Sequence, residues 1–187
     1  MARGCWKTPL GDVPVQEKLA ADILAGSGQF HEDELAHSLE HSLEVELPFL
    51  QYFKKDFSIV PIAIANDSIA SLKEAGKALA AAVKKNAGTA GTLLVASSDM
   101  THYEEASTAA KKDDLAIEAI LALDEDKLMR TIKEFDISMC GYMPVCVMIV
   151  AAKGLGAKKG ALLKYQTSGD ITGDRSSVVG YAGITIQ

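Results

Sequence analysis

The sequence predicts one α/β domain of three layers, with helices on both faces of a mostly parallel sheet. Segments with helical spacing alternate along the 187 residues with short apolar runs of strand length, a pattern typical of such a fold. No repeat, low-complexity segment or Gly/Pro/Ser-rich linker divides the chain. A chain of this length can bury most of its apolar surface in one core, so we expect a single domain over residues 1–187.

Helical spacing predicts six helices. They cover residues 15–25, 34–52, 68–85, 106–123, 125–135 and 142–153. In the second of these, leucines recur every three or four positions, and Pro48 is expected to kink or divide the helix. The sixth is almost entirely apolar, which predicts that it is buried on all sides.

Four apolar runs predict strands. They cover residues 58–64, 92–96, 161–167 and 177–186. The run at 92–96 has the composition of a strand buried on both faces, whereas Pro61 places the first run near a sheet edge or at a bulge. The last two runs follow each other through a Gly/Asp-rich link, which favours an antiparallel pair at the C-terminal end.

Composition and charge exclude several classes of protein. The formal net charge is −6 and the pI is near 5.2, whereas a nucleic-acid surface needs a basic patch. The longest apolar run, residues 143–152, is roughly half the length that spans a bilayer. Three scattered cysteines make no disulfide framework, and the N-terminus lacks the pattern of a secretion signal. We therefore expect a cytoplasmic protein that binds neither nucleic acid nor membrane.

The first chemically active stretch is residues 97–103, directly after the strand predicted at 92–96. An imidazole at that edge titrates near neutral pH, and a carboxylate can orient it, so His102 is a candidate general acid or base with Asp99 beside it. The alternative is helix capping, because Thr101 and Glu104 have the spacing of a capping box. Capping leaves His102 unexplained, and both interpretations stay open at this point.

The second stretch is residues 140–144, at the start of the buried helix. A cysteine at a helix N-terminus can act as a thiolate nucleophile or as a soft metal ligand, which makes Cys140 a candidate. The alternative is a buried structural cysteine. We interpret Cys146, which lies inside the apolar run, as such a buried structural cysteine.

The third stretch contains a literal H-x-x-E-H sequence formed by His37, Glu40 and His41. In inverted zincins this motif binds zinc through two histidines one helical turn apart, with the glutamate as base. Glu118 lies 77 positions after His41, which resembles the spacing to a third ligand in pitrilysin-like peptidases. Nothing else in the chain resembles those enzymes, and a solvated helix face explains the same residues.

Five motifs in order resemble the Memo family, known in prokaryotes as AmmeMemoRadiSam system protein B. They are residues 6–11 (WKTPLG), 40–51 (EHSLEVELPFLQ), 97–102 (SSDMTH), 140–144 (CGYMP) and 176–182 (SSVVGYA). The resemblance implies the fold of class III extradiol dioxygenases, a central sheet between helical layers. Those enzymes hold non-haem iron through two histidines and one glutamate, and a further histidine serves as acid–base group.

The resemblance also implies roles for individual residues. The family replaces the metal-binding glutamate by a cysteine, which corresponds to Cys140 and would bind iron or copper. The acid–base histidine corresponds to His102 and its carboxylate to Asp99. A pocket-lining role is implied for Glu40, His41 and Glu44, in the motif at residues 40–51.

The chain departs from the family pattern at its metal-binding histidines. Those histidines lie in Pro-His-x-Gly-Tyr and Gly-Pro-x-His stretches, and none of His31, His37, His41 and His102 has either context. The resemblance therefore implies an N-terminally truncated fold with an incomplete metal site, since a facial iron site needs three protein ligands. A sheet lacking strands would expose an edge, so we expect a homo-oligomer.

Three functions remain open on the sequence. The first is a Memo-family protein with a dioxygenase-like pocket that binds iron or copper and a small molecule of unknown identity. The second is a peptide or protein interaction module without catalysis, and the third is the zinc peptidase. The family name also implies a radical SAM enzyme and a further AmmeMemoRadiSam protein as partners.

Overall fold

The computed structural model describes residues 3–87 and 91–187. Within these residues the strands are β1 (Cys5–Thr8), β2 (Gly11–Pro14), β3 (His102–Glu104), β4 (Gly160–Thr167) and β5 (Val178–Ile186). The α-helices are α1 (Glu17–Gly26), α2 (Glu46–Phe53), α3 (Ile69–Ala87), α4 (Ala106–Leu121), α5 (Glu125–Glu134), α6 (Tyr142–Leu155) and the single turn α7 (Gly169–Thr172). The fold is a mixed α/β one. No helix of the described part is long and apolar enough to cross a membrane.

Five of the six predicted helices are confirmed to within a few residues, as α1, α3, α4, α5 and α6. Local signals explain their bounds. The Glu105 side chain caps α4 by accepting from Thr108 N at 3.3 Å, and Asp124 caps α5 by accepting from Lys127 N at 2.8 Å. Side-chain oxygens at this position satisfy N–H groups that have no partner inside the helix. At the other end of α6, Gly156 adopts φ +106°, a conformation that glycine tolerates.

The helix predicted over residues 34–52 is not continuous. The chain forms a 3-10 helix at Leu35–His37 and then turns, and α2 begins only at Glu46. The Glu40 carboxylate accepts hydrogen bonds from Ser42 N at 2.6 Å and Leu43 N at 3.0 Å, so it directs the backbone into turns. Pro48 lies in the first turn of α2, where its missing N–H removes no helical hydrogen bond.

The paired strands are antiparallel. β5 lies between β3 and β4, and the predicted C-terminal pair is confirmed with Gly160 opposite Ile186 and Thr167 opposite Gly180. β1 and β2 form a separate hairpin. Within residues 3–87 and 91–187, parallel pairing is confined to one bridge between Val15 and Ile59. The mostly parallel sheet expected from the sequence is therefore not formed by the described residues.

The runs predicted as strands at 58–64 and 92–96 are not paired as strands in the described part of the chain, apart from the single bridge at Ile59. Among the described residues, backbone groups of 60–65 and 92–97 make no hydrogen bond. Their side chains still alternate, with one set packed on the core: Val60, Ile62, Ile64, Leu94 and Ala96. On the other face Leu93 is 74% exposed and Val95 48% exposed. The apolar alternation thus sets an extended conformation, while a neighbouring strand to complete a ladder is absent from the described part.

Close helix packing positions the start of α6. A Cβ on Gly76 of α3 would lie 2.6 Å from Val150 Cβ and 2.8 Å from the Val147 carbonyl oxygen. These distances are shorter than real Cβ contacts, so glycine is required for α3 and α6 to approach this closely. Both helices belong to the main core cluster. The N-terminus of α6 is thereby held beside residues 97–99.

A buried carboxylate joins the sheet to the helices. Asp113 of α4 is fully buried, and it accepts hydrogen bonds from Thr101 N at 2.8 Å and from the Tyr165 hydroxyl at 2.7 Å. Burial, together with the hydrogen bond to Asp113, raises the pKa of Tyr165, which keeps its hydroxyl a donor. Gly180 packs so close that a Cβ there would lie 2.0 Å from Asp113 Oδ2.

Replacing Asp113 by Ala is expected to lower the free energy of unfolding by about 3 kcal/mol, because two buried donors lose their acceptor. Urea denaturation measures the change. Asp114→Ala removes an exposed carboxylate next along α4 and is expected to change stability by less than about 0.5 kcal/mol. Equal effects of the two variants would contradict the structural role assigned to Asp113.

The unpaired extended segments lead us to expect a dimer or larger assembly, because exposed N–H and C=O groups beside apolar side chains pair readily with another chain. Sedimentation velocity measures the assembly. Leu93→Glu combined with Val95→Glu is expected to shift the protein toward monomer. Ile171→Glu, at an exposed side chain of α7, is the control that leaves the assembly intact. A monomeric parent protein would contradict the expectation.

Candidate functional site

A cavity of about 710 Å³ opens where three parts of the chain meet. Three groups of residues line it: positions 41, 42, 45 and 46; positions 97–99, 102 and 140; and positions 164, 166 and 181–183 of β4 and β5. The volume is within the range of small-molecule sites. Residues from four of the five resembling motifs lie in its walls, so the cavity is the natural candidate for a functional site.

Asp99, His102 and Cys140 form a group of potential metal ligands in this cavity. One carboxylate oxygen of Asp99, a ring nitrogen of His102 and the Cys140 sulfur all lie within 4.8 Å of one another. Asp99 Oδ2 is 3.6 Å from His102 Nε2, which is beyond hydrogen-bond distance. His102 Nε2 is buried and has no hydrogen-bond partner among the described residues. The structure therefore leaves a buried nitrogen directed at an oxygen and a sulfur.

Backbone pairing places the segment that carries Asp99 and His102. Met100 N donates to Gly180 O and Gly180 N donates to Thr101 O, each at 2.9 Å. His102 N donates to Ser138 Oγ at 2.7 Å, and His102 begins the short strand β3 opposite Val179. The histidine is thus fixed between β5 and the loop before α6.

The close contact of Gly141 with Ser97 and Ser98 positions the part of the site that contains Cys140. Gly141 N donates to Ser98 Oγ at 2.9 Å, and a Cβ on Gly141 would lie 2.4 Å from Ser97 O. This contact places Cys140, which precedes it, beside Asp99. The Asp99 N–H donates to Cys140 Sγ at 3.3 Å, so the sulfur accepts a backbone hydrogen bond at the edge of the cavity.

The structure does not agree with the alternative that residues 97–103 cap a helix. Helix α4 begins at Ala106 and is capped by Glu105. Thr101 is buried with its backbone paired to β5, and the Glu104 carboxylate pairs with Lys112 at 2.6 Å. Asp99 and His102 therefore have no part in starting a helix, and both line the cavity.

The predicted pocket-lining residues lie in different positions. His41 lines the cavity. The Glu40 carboxylate is held by the turn at residues 42–43, and Glu44 is exposed outside the cavity wall. The glutamate in the wall is Glu46, at the start of α2, which accepts from Ser97 Oγ at 3.5 Å. Sequence spacing identified the stretch but not which of its glutamates faces inward.

The H-x-x-E-H stretch does not form the helical geometry that an inverted zincin needs. Residues 38–41 lie outside any α-helix, and His37 Nδ1 is 2.9 Å from Asp33 O. Glu118, on α4, forms an ion pair with Lys127 of α5 at 3.3 Å. Among residues 3–87 and 91–187, the group of potential metal ligands is the one at Asp99.

Sequence reasoning missed the part of the cavity wall that β4 forms. Lys164 and Gln166 line the cavity, although they belong to no motif discussed above, whereas Tyr181 lies in the motif at 176–182. A signal was present, because Lys164 and Gln166 share one face of a strand while Tyr165 and Thr167 share the other.

The three cysteines differ in exposure, and this predicts different reactivity toward iodoacetamide. Cys5 and Cys140 are exposed and Cys146 is buried; burial raises the pKa of the Cys146 thiol to about 12, so its reactive thiolate is scarce at pH 8. Peptide mass spectrometry of the folded protein, freed of any metal with EDTA, is expected to find label on Cys5 and Cys140 only. Cys146 is expected to react once urea unfolds the chain.

The variant Cys5→Ser is the matched control for this labelling, because it leaves Cys140 as the single exposed thiol. One label per folded chain is then expected. Labelling of Cys146 at the rate of Cys140 would show that α6 is not packed as described.

Comparisons with known proteins agree with the motif resemblance. A family model described as Memo-like protein matches residues 1–185. MEMO1 family proteins of Methanopyrus kandleri, Methanothermobacter thermautotrophicus and Pyrobaculum aerophilum are similar, with 42%, 43% and 44% identity over 100%, 99% and 98% of this chain.

These alignments cover 66%, 66% and 65% of the three relatives. The chain therefore spans just under two thirds of the length of the curated relatives it matches. The match extends over nearly the whole chain and includes each of the cavity walls. The chain belongs to the Memo family.

Proposed function

We propose that the cavity binds a small molecule beside a metal ion, iron or copper. Asp99, His102 and Cys140 would be the protein ligands of that metal. The single observation that carries this is the oxygen, nitrogen and sulfur group within 4.8 Å. Three side chains at one face of a cavity match the number that a facial non-haem site uses, and they leave space for a further ligand.

The residues present fit a transition metal. His102 Nε2 is buried without a hydrogen-bond partner among the described residues, and a metal ion would satisfy a nitrogen that is costly to bury alone. Imidazole together with thiolate suits copper, zinc or iron, and favours them over calcium or magnesium. The ligand role for His102 and Asp99 replaces the acid–base role that the resemblance implies for them.

Surrounding groups would fix the ligands in place. The Asp99 N–H at 3.3 Å from the Cys140 sulfur and the Ser138 hydroxyl that accepts from His102 N hold two of the three ligands from outside. Such supporting contacts orient ligands and tune affinity for the metal. A bound iron or copper ion would supply Lewis-acid or redox chemistry, and the cavity would orient a small molecule beside it.

Metal content of the anaerobically purified protein tests the proposal. The parent chain is expected to carry close to one equivalent of iron or copper, and Cys140→Ala and His102→Ala are expected to lose it. Cys5→Ala removes the other exposed cysteine and is the matched control that keeps the metal. Circular dichroism of each variant verifies that the fold is retained.

Three results would overturn the three-ligand site. Metal retained in Cys140→Ala would exclude the sulfur as ligand. Metal lost with Cys140→Ala but retained in His102→Ala would return His102 to the acid–base role. Zinc that is lost with His41→Ala and is indifferent to Cys140 would favour the peptidase.

A second candidate is a peptide-binding module that needs no metal. One observation favours it: α2, whose first residue lines the cavity, exposes Phe49, Tyr52 and Phe53 at 70%, 80% and 85%. Exposed apolar side chains of this size, close together on one helix, mark interaction surfaces. A chain that carries no metal after anaerobic purification would place this candidate first.

A further inference from the structure

Strands β4 and β5 present a polar wall to the cavity. Tyr165 points the other way, with its hydroxyl 2.7 Å from the buried Asp113. Because side chains alternate along a strand, its neighbours Lys164 and Gln166 point to the opposite face, and both line the cavity. Tyr181, directly opposite Gln166 in the strand register, lines the same face.

The donors of this wall are unused by the protein. Within the described part of the chain, the Lys164 ammonium, the Gln166 amide and the Tyr181 hydroxyl make no hydrogen bond or ion pair. The serine hydroxyls of the cavity differ, because Ser97 donates to Glu46 and Ser98 donates to the Asp99 carbonyl. Three unpaired donors therefore lie together on the side of the cavity that β4 and β5 form.

Lys164 provides positive charge on that side. It is the one lysine or arginine among the described residues of the cavity wall. No described carboxylate lies within 4.0 Å of its Nζ, whereas the carboxylates of the cavity, Glu46 and Asp99, belong to the other walls. An anion at Lys164 would thus meet a cation and two neutral donors.

The strand register also leaves space beside Lys164. The residue directly opposite is Gly183. A Cβ on Gly183 would have one neighbour, the Lys164 carbonyl oxygen at 4.0 Å, so core packing does not require glycine there. The absence of a side chain opens the surface between Lys164 and Tyr181 to a ligand.

We propose that this wall, Lys164 with Gln166 and Tyr181, binds the oxyanion group of a small organic ligand, a carboxylate or a phosphate. Oxyanions accept hydrogen bonds and do not donate them, which matches a wall of donors around one cation. Val45, also in the cavity wall, supplies an apolar contact for the rest of the ligand. The inference deepens the proposed function by naming the ligand class, and it requires the small-molecule cavity but not the metal.

Titration of the full chain with benzoate, phenyl phosphate and the neutral benzamide tests the inference, with binding followed by isothermal calorimetry before and after EDTA treatment. At least one anion is expected to bind about tenfold more tightly than benzamide, since an oxyanion accepts a charge-assisted hydrogen bond from the lysine ammonium that is stronger than one between neutral groups. Lys164→Met is expected to abolish the difference, and Lys164→Arg to retain most of it. Whichever anion binds more tightly identifies the class as carboxylate or phosphate.

Lys159→Met is the matched control, because it removes the same charge from an exposed position just before β4 and is expected to bind as the parent does. Anion binding that is unchanged in Lys164→Met, or no preference over benzamide, would overturn the inference. Anion binding that disappears with EDTA and with Cys140→Ala would also overturn it, because the metal would then be the anion site. If only the metal proposal is wrong, anion binding still depends on Lys164 and persists after EDTA treatment.

Discussion

The buried Asp113 carboxylate is the interaction on which the arrangement of the site depends. One oxygen accepts from Thr101 N and the other from the Tyr165 hydroxyl. The first contact fixes the segment that carries Asp99 and His102, and the second fixes the strand whose other face carries Lys164. One interior side chain thus orients two walls of the cavity. Asp113 itself neither lines the cavity nor belongs to the group of potential metal ligands. Removing a side chain that joins a buried hydrogen-bond network lowers the free energy of unfolding by more than the loss of one isolated hydrogen bond does.

Local signals predicted the helices and the C-terminal strand pair. Capping carboxylates such as Glu105 and Asp124 act within a few residues of the chain, so their effect is visible in the sequence. The candidate site was likewise proposed from residues at the ends of elements, Asp99, His102 and Cys140, which lie close together in the structure. Their proximity could not be derived from spacing, and it came instead from the resemblance to a family, because residues 41 positions apart meet only through the packing of α6.

Other features depend on contacts that spacing does not reveal. The leucine periodicity of residues 34–52 predicted one helix, but the Glu40 side chain competes for the backbone N–H groups and turns the chain. The apolar runs at 58–64 and 92–96 are extended as predicted, yet strand assignment needs a neighbour, and the described residues supply only the bridge at Ile59. Tertiary pairing therefore decides what local propensity leaves open.

The close approach of Gly141 to Ser97 limits how far the candidate site can rearrange. The separation between Cys140 and the Asp99–His102 pair is set by main-chain contact, since even a methyl group at position 141 would lie 2.4 Å from Ser97 O. Backbone packing is far less free to rearrange than a surface side chain. The donor atoms are therefore preorganised, and binding has little conformational entropy to lose at this position.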